Sequence, residues 1–131
     1  MVIVDTHIFV WDILSPQKLS RKALHLIESE SSNNELCVCD ITFWEMGLFV
    51  NKGRLELDRT VSEFIEFGLA YRNYQVLSIT PTIAEVIAQF AVDINNDPAD
   101  RIISAAAICY NYRLITADKN LIGFKPLKTI W

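Results

Sequence analysis

Short apolar runs, separated by longer segments with helical spacing, constrain this chain more than any other feature. Val2-Ile3-Val4, Leu36-Cys37-Val38-Cys39, residues 74–79 and Arg113-Leu114-Ile115-Thr116 each read as a strand. Runs that are apolar on both faces belong in a parallel sheet covered by helices. Residues 126–131 can add a last edge strand. Strand and helix alternate throughout, which predicts an α/β fold: three α/β/α layers around a central, mainly parallel sheet of four or five strands.

The intervening segments carry helix punctuation. Residues 6–14 are too apolar for a loop and read as a short packed helix followed by Pro16. Ser20 can cap a helix through Glu28, with Ala23, Leu24 and Ile27 inward and Arg21 and Lys22 solvated; residues 29–35 then read as an exposed polar loop. A helix over 40–53 closes at Gly53, and Thr42 and Glu45 have capping-box spacing. Thr60 with Glu63 opens a helix running to about Tyr71, and Thr80-Pro81 starts one carrying Ile83, Val86, Ile87, Phe90 and Ala91. Asp97 fits an N-cap, Pro98 the first helical position and Asp100 the third. The run 102–109 continues that helix to a break at Asn111-Tyr112, and residues 119–123 read as a turn.

With 131 residues and 51% hydrophobic content, the expectation is one compact domain spanning 1–131. A net charge of −4 weighs against attachment to nucleic acid by bulk positive charge, so such a function needs a local device. Met1 leads into Val2-Ile3-Val4 without a basic leader, and no apolar run reaches membrane-spanning length, so a cytoplasmic protein is expected. Cys37, Cys39 and Cys109 lie in apolar patterns and read as reduced core cysteines, since Cys-x-Cys lacks the second ligand pair of a zinc site. His7 and His25 are far apart and read as structural.

Four acids fall at equivalent places. Asp5 and Asp118 follow strand ends, whereas Glu45 and Asp100 sit near helix starts. In an open parallel sheet these places converge beyond the carboxyl ends of the strands. The competing reading is local: Asp97 and Asp100 as capping groups and Glu45 as half of a capping box. Carboxylates gathered within a few ångströms repel one another and call for a cation, and oxygen ligands favour magnesium or manganese. Such an ion activates water, neutralises a phosphoryl group, and lets an acidic protein approach phosphate.

Val4-Asp5-Thr6-His7, Phe43-Trp44-Glu45, Asp97-Pro98-Ala99-Asp100-Arg101 and Thr116-Ala117-Asp118, in this order and with the closing Trp131, resemble the PIN-domain ribonucleases. In particular they resemble the VapC-like toxins of type II toxin–antitoxin pairs, over essentially the whole chain. The resemblance implies a PIN-like fold and a magnesium- or manganese-dependent endoribonuclease. It also implies an RNA substrate, a dimer and silencing by a cognate antitoxin. By similarity Asp5, Glu45, Asp100 and Asp118 are the metal-binding catalytic acids, and Thr116 helps to orient water or metal. The chain departs from the commonest pattern at Asn95-Asn96, where a basic or histidine residue often precedes Asp-Pro, and at Ala99, where an aromatic is common.

Rival classes fit less well. Gly47, Gly53, Gly68 and Gly123 form no phosphate-cradling loop. A phosphotransfer receiver would want an acid after the third strand, where Ile79-Thr80 stand, and an Asp-x-Asp phosphatase would want one at His7. The rival from another class is a PIN-like binding or scaffold module without catalysis.

Overall fold

The computed structural model describes residues 1–90 and 97–131. β1 (Val2–Val4), β2 (Leu36–Cys39), β3 (Gln75–Leu77), β4 (Arg113–Ile115) and β5 (Thr129–Ile130) form one sheet in the order β3-β2-β1-β4-β5. All four neighbouring pairs are parallel. Val4 is level with Val38 on one side and Ile115 on the other, so the three central strands end within one residue of one another. From β1 the chain builds outward through β2 and β3, then returns to add β4 and β5 on the opposite flank. This reversal lies between β1 and β4, where diverging connections leave a crevice at the strand ends.

Period-2 alternation sends each strand's side chains into two separate cores. Val2, Val4, Leu36, Val38 and Ile115 pack on one face of the sheet. They meet Ile8 and Phe9 of α1 (Thr6–Leu14), Ala23 and Ile27 of α2 (Arg21–Ser32), Met46 of α3 (Ile41–Asn51) and Phe64 of α4 (Val61–Arg72). Ile3, Cys37, Cys39 and Leu114 pack on the other face. They meet Ile83 of α5 (Pro81–Phe90), Ile103 and Ala105 to Ala107 of α6 (Pro98–Tyr110) and Leu121 of α7 (Lys119–Ile122). The result is the three-layer α/β/α arrangement with five parallel strands. Truncating a fully buried residue such as Ile3 to alanine should cost about 2–5 kcal/mol. Cys37 and Cys39 are buried free thiols pushed up by desolvation to about 11 and about 12, which leaves them inert at neutral pH.

Several boundaries differ from the sequence reading for identifiable reasons. α2 continues to Ser32 through part of the expected loop, because Glu30 is buried beneath Arg113 and Met1 instead of facing solvent. Asn34 and Asn73 adopt left-handed backbone (φ 58° and 55°), which asparagine tolerates better than most residues. The Thr42–Glu45 capping box does not form. α3 already starts after Asp40, and the fully buried Thr42 hydroxyl pairs with that of Thr6 at 3.1 Å. Gly53, at φ +71°, follows the C-cap Lys52 and closes α3 as expected. β3 is shorter than 74–79, and residues 119–123 hold the single-turn helix α7 in place of a simple turn. Ala91, Asn95, Asn96 and the side chain of Phe90 lie outside the described residues. Ala99 is fully buried, so an aromatic there would need space that the packing does not leave.

A buried ion pair braces α1 against α4. Asp12, only 2% exposed, accepts from Arg72 Nε at 3.1 Å, from the second guanidinium nitrogen at 2.9 Å and from the Tyr74 hydroxyl at 3.1 Å. The forked contact satisfies a charge that would be costly to bury alone. It fixes the rotation of α1 about its axis, and hence the direction of the residues following β1.

Candidate active site

Each acid reaches the crevice through a short local device. Asp5 follows β1 and caps α1, its Oδ1 accepting from the Ile8 amide at 2.9 Å. Asp118 follows β4 by three residues and caps α7, accepting from the Asn120 amide at 2.8 Å. Between them lies the parallel pairing of β1 with β4, closed by the Asp5 amide donating to the Ile115 carbonyl at 3.2 Å. Glu45 projects from the second turn of α3, and Asp100 from the first turn of α6. Asp97 is the N-cap of α6, accepting from the Ala99 and Asp100 amides at 2.9 and 3.2 Å. Its side chain is turned onto its own helix, yet it also lines the cavity.

These five carboxylates border one cavity of about 430 Å³. Burial pushes the Asp5 carboxyl up, opposed by its bonds to the Thr116 hydroxyl and the Ile8 amide, and the Asp118 charge adds to the rise. Glu45 is raised by burial and further by Asp97, while the Thr6 hydroxyl favours its charged form. Asp100 is pushed up to about 7 by burial and then by Asp97, Asp118, Glu45 and Asp5 in turn. Asp5, Glu45 and Asp100 therefore sense the neighbouring acids, and the ionised forms of these three are destabilised.

Thr116, fully buried just past β4, accepts from the Asp118 amide at 3.0 Å and bonds the Asp5 carboxyl, so one hydroxyl sets both acids. Thr6 and Thr42 serve Glu45 in a similar way. The Thr6 hydroxyl, itself braced by Thr42, bonds the Glu45 carboxylate. Sequence reasoning missed both threonines. The only local signal is their position one or two residues from a strand end or helix start, and their partners are distant in sequence.

The donor set suits a hard divalent cation, since five carboxylates supply oxygen and the raised protonation of Asp5, Glu45 and Asp100 would be relieved by positive charge. Among the described residues no group of three acid, histidine or cysteine side chains is already gathered closely enough to hold a metal ion. The amide bonds of Asp5 and Asp118 hold these two carboxylates on their own helix starts.

The rest of the cavity lining is different. His7, Trp11 and Phe49 supply aromatic surface, and Lys18 and Arg54 supply positive charge. His7 is therefore exposed on the site and is not the structural histidine that was expected. Arg54 comes from the turn that follows α3.

Comparison with known proteins agrees with this architecture. The family model described as "PIN domain" matches residues 2–125. The chain is 31% identical over 132 residues to the ribonuclease VapC22 of Mycobacterium tuberculosis, covering 99% of this chain and 98% of that protein. DNA-bound VapBC from Salmonella typhimurium superposes with a TM-score of 0.72 at 16% identity, covering 98% of this chain and 96% of that one. VapBC2 from Rickettsia felis, bound to a promoter DNA fragment, gives 0.70 at 18% identity, covering 99% and 98%. FitAcB from Neisseria gonorrhoeae gives 0.67 at 19% identity, covering 100% and 97%. These structural likenesses speak to the fold.

Proposed function

We propose, from the premise that this chain belongs to the PIN-domain family, that it is a divalent-metal-dependent endoribonuclease and the toxin of a type II toxin–antitoxin pair. The proposed nuclease is a single domain spanning 1–131. One observation carries the reading: Asp5, Glu45, Asp97, Asp100 and Asp118 share a cavity at the switch point of a parallel sheet. Homology to the ribonuclease VapC22 supports RNA as the substrate.

Asp5, Glu45, Asp100 and Asp118 are the residues to hold magnesium or manganese. When bound, the ion supplies a more acidic water and neutralises charge at the phosphodiester. The protein's own contribution is to aim and hold these carboxylates. Thr116 sets Asp5 and the backbone of Asp118, Thr6 sets Glu45, and Asp97 fixes the first turn of α6 from which Asp100 projects. Asp100, raised to about 7, carries a proton near neutrality that cation entry would displace.

The proposed assembly includes a cognate antitoxin and a second copy of the chain. Its antitoxin component is supported by the VapBC composition of the similar structures. A guanidinium from the antitoxin would complement the acid cluster, and Trp44, half exposed on α3 with Leu48 and Phe49 on the same helix, offers apolar contact. Among the described residues no helix is long and apolar enough to cross a membrane, in keeping with a proposed cytoplasmic location. The test is incubation of purified protein with total RNA, with manganese or with chelator, beside Asp5→Asn. Manganese-dependent fragments that disappear in the variant are expected. Intact RNA under all conditions would instead fit a PIN-like scaffold without catalysis.

A further inference from the structure

We propose that Trp11 is a stacking platform for an unpaired base next to the scissile phosphate, with Lys18 and Arg54 receiving neighbouring phosphates. The inference rests on the nuclease reading above and assigns the substrate-positioning half of the same cavity.

The lining of the cavity is chemically mixed: beside the five carboxylates it includes His7, Trp11, Phe49, Lys18 and Arg54. Trp11 leaves α1 two turns after Asp5 and is only half-buried. It is held on its flanks by Trp131 and His7, each with ring centroids 6.1 Å away, and His7 in turn lies 5.6 Å from Phe49. A large aromatic fixed by other rings while open to a polar cavity is preorganised for a planar ligand. Lys18 Nζ sits over the Trp11 ring at 5.7 Å, so a stacking base takes the place of this ammonium on the ring face. Among the described residues neither Lys18 nor Arg54 has an ion-pair partner, although acids line the same cavity. Two unpaired cations beside an aromatic face match the alternation of phosphate and base along a single strand. Base stacking is tolerant of sequence and little affected by the acids' charge, so it lets an acidic protein retain RNA where bulk charge cannot. Only an unstacked base can reach the ring, which selects single-stranded or looped RNA.

The experiment uses an oligoribonucleotide whose cut site has been mapped with the wild-type protein and manganese. A second version carries an abasic ribose at each position flanking the cut in turn. Trp11→Ala should raise KM by about tenfold or more on the intact oligonucleotide, with kcat much less affected. Trp11→Phe should recover most of the loss, and on one abasic version the difference between wild type and Trp11→Ala should vanish. Trp11→Leu keeps apolar bulk without a ring, guards against a folding defect, and should behave as Trp11→Ala. Lys18→Gln should weaken binding on both substrates and reduce the slope of log affinity against log salt by about 1. Unchanged KM in Trp11→Ala, or an equal loss with and without every flanking base, would overturn stacking while leaving the nuclease reading intact. A wild-type protein that cuts no RNA would overturn both.

Discussion

Replacing Asp100 with asparagine should stabilise the protein in chelator, and the gain should depend on pH. In the fold this carboxyl is raised from 3.8 to about 7, first by burial and then by the charges of Asp97, Asp118, Glu45 and Asp5. A folded-state value above the unfolded one means that the native state prefers the protonated acid. Its contribution to stability is fully present below about pH 4 and is lost as pH rises through 7. The gap of about 3 pH units, at about 1.4 kcal/mol each, sets an upper bound of about 4 kcal/mol. Asp100 keeps one side toward solvent, so screening reduces the expected gain to about 2 kcal/mol, or about 7 °C in melting temperature for a chain of this size. Thermal melts of wild type and Asp100→Asn in chelator should therefore diverge at pH 8 and converge at pH 4. Cleavage by the variant in manganese should fall by orders of magnitude. A gain that is equal at both pH values, or a loss at pH 8, would refute the mutual repulsion inferred for this cluster.

Further outcomes follow from individual contacts. Asp97→Ala removes the N-cap of α6 and should cost about 1 kcal/mol in chemical denaturation, whereas Asp97→Asn should retain the cap and most cleavage activity. Thr116→Val keeps the shape but deletes the hydroxyl shared by Asp5 and the Asp118 amide; a loss of about 1–2 kcal/mol with reduced cleavage is expected, and full activity would contradict its positioning role. Asp12→Ala strands Arg72 and the Tyr74 hydroxyl and should cost about 3 kcal/mol or more, measurable by urea denaturation.

What the sequence revealed depended on how local each cause was. The central strands were legible because both of their faces are buried, so Val2-Ile3-Val4 and Leu36 to Cys39 are continuous apolar runs ending at the same level as their neighbours. β3 lies at the sheet edge with Gln75 and Val76 exposed, so its apolar signal is diluted and does not mark its limits. The cap at Asp97 is legible because Asp-Pro acts within one turn, but its additional place on the cavity wall depends on the fold. Thr42 and Glu45 have the spacing of a capping box, and only the approach of Thr6, 36 residues away, redirects them to the site. α7 has four residues, too few for any periodicity to register. Trp11 and Lys18 could not be separated from ordinary helix and surface residues until the cavity joined them to Arg54.

The central claim, that these carboxylates converge to hold a divalent cation, is tested most directly by calorimetric titration of manganese into the metal-free protein at pH 7. Saturable binding is expected, with proton release visible as a dependence of the heat on buffer, because Asp100 must surrender a proton held near neutrality. Binding should be greatly weakened in both Asp5→Asn and Asp100→Asn. Absence of saturable binding to the wild type, or unchanged binding in both variants, would contradict the claim.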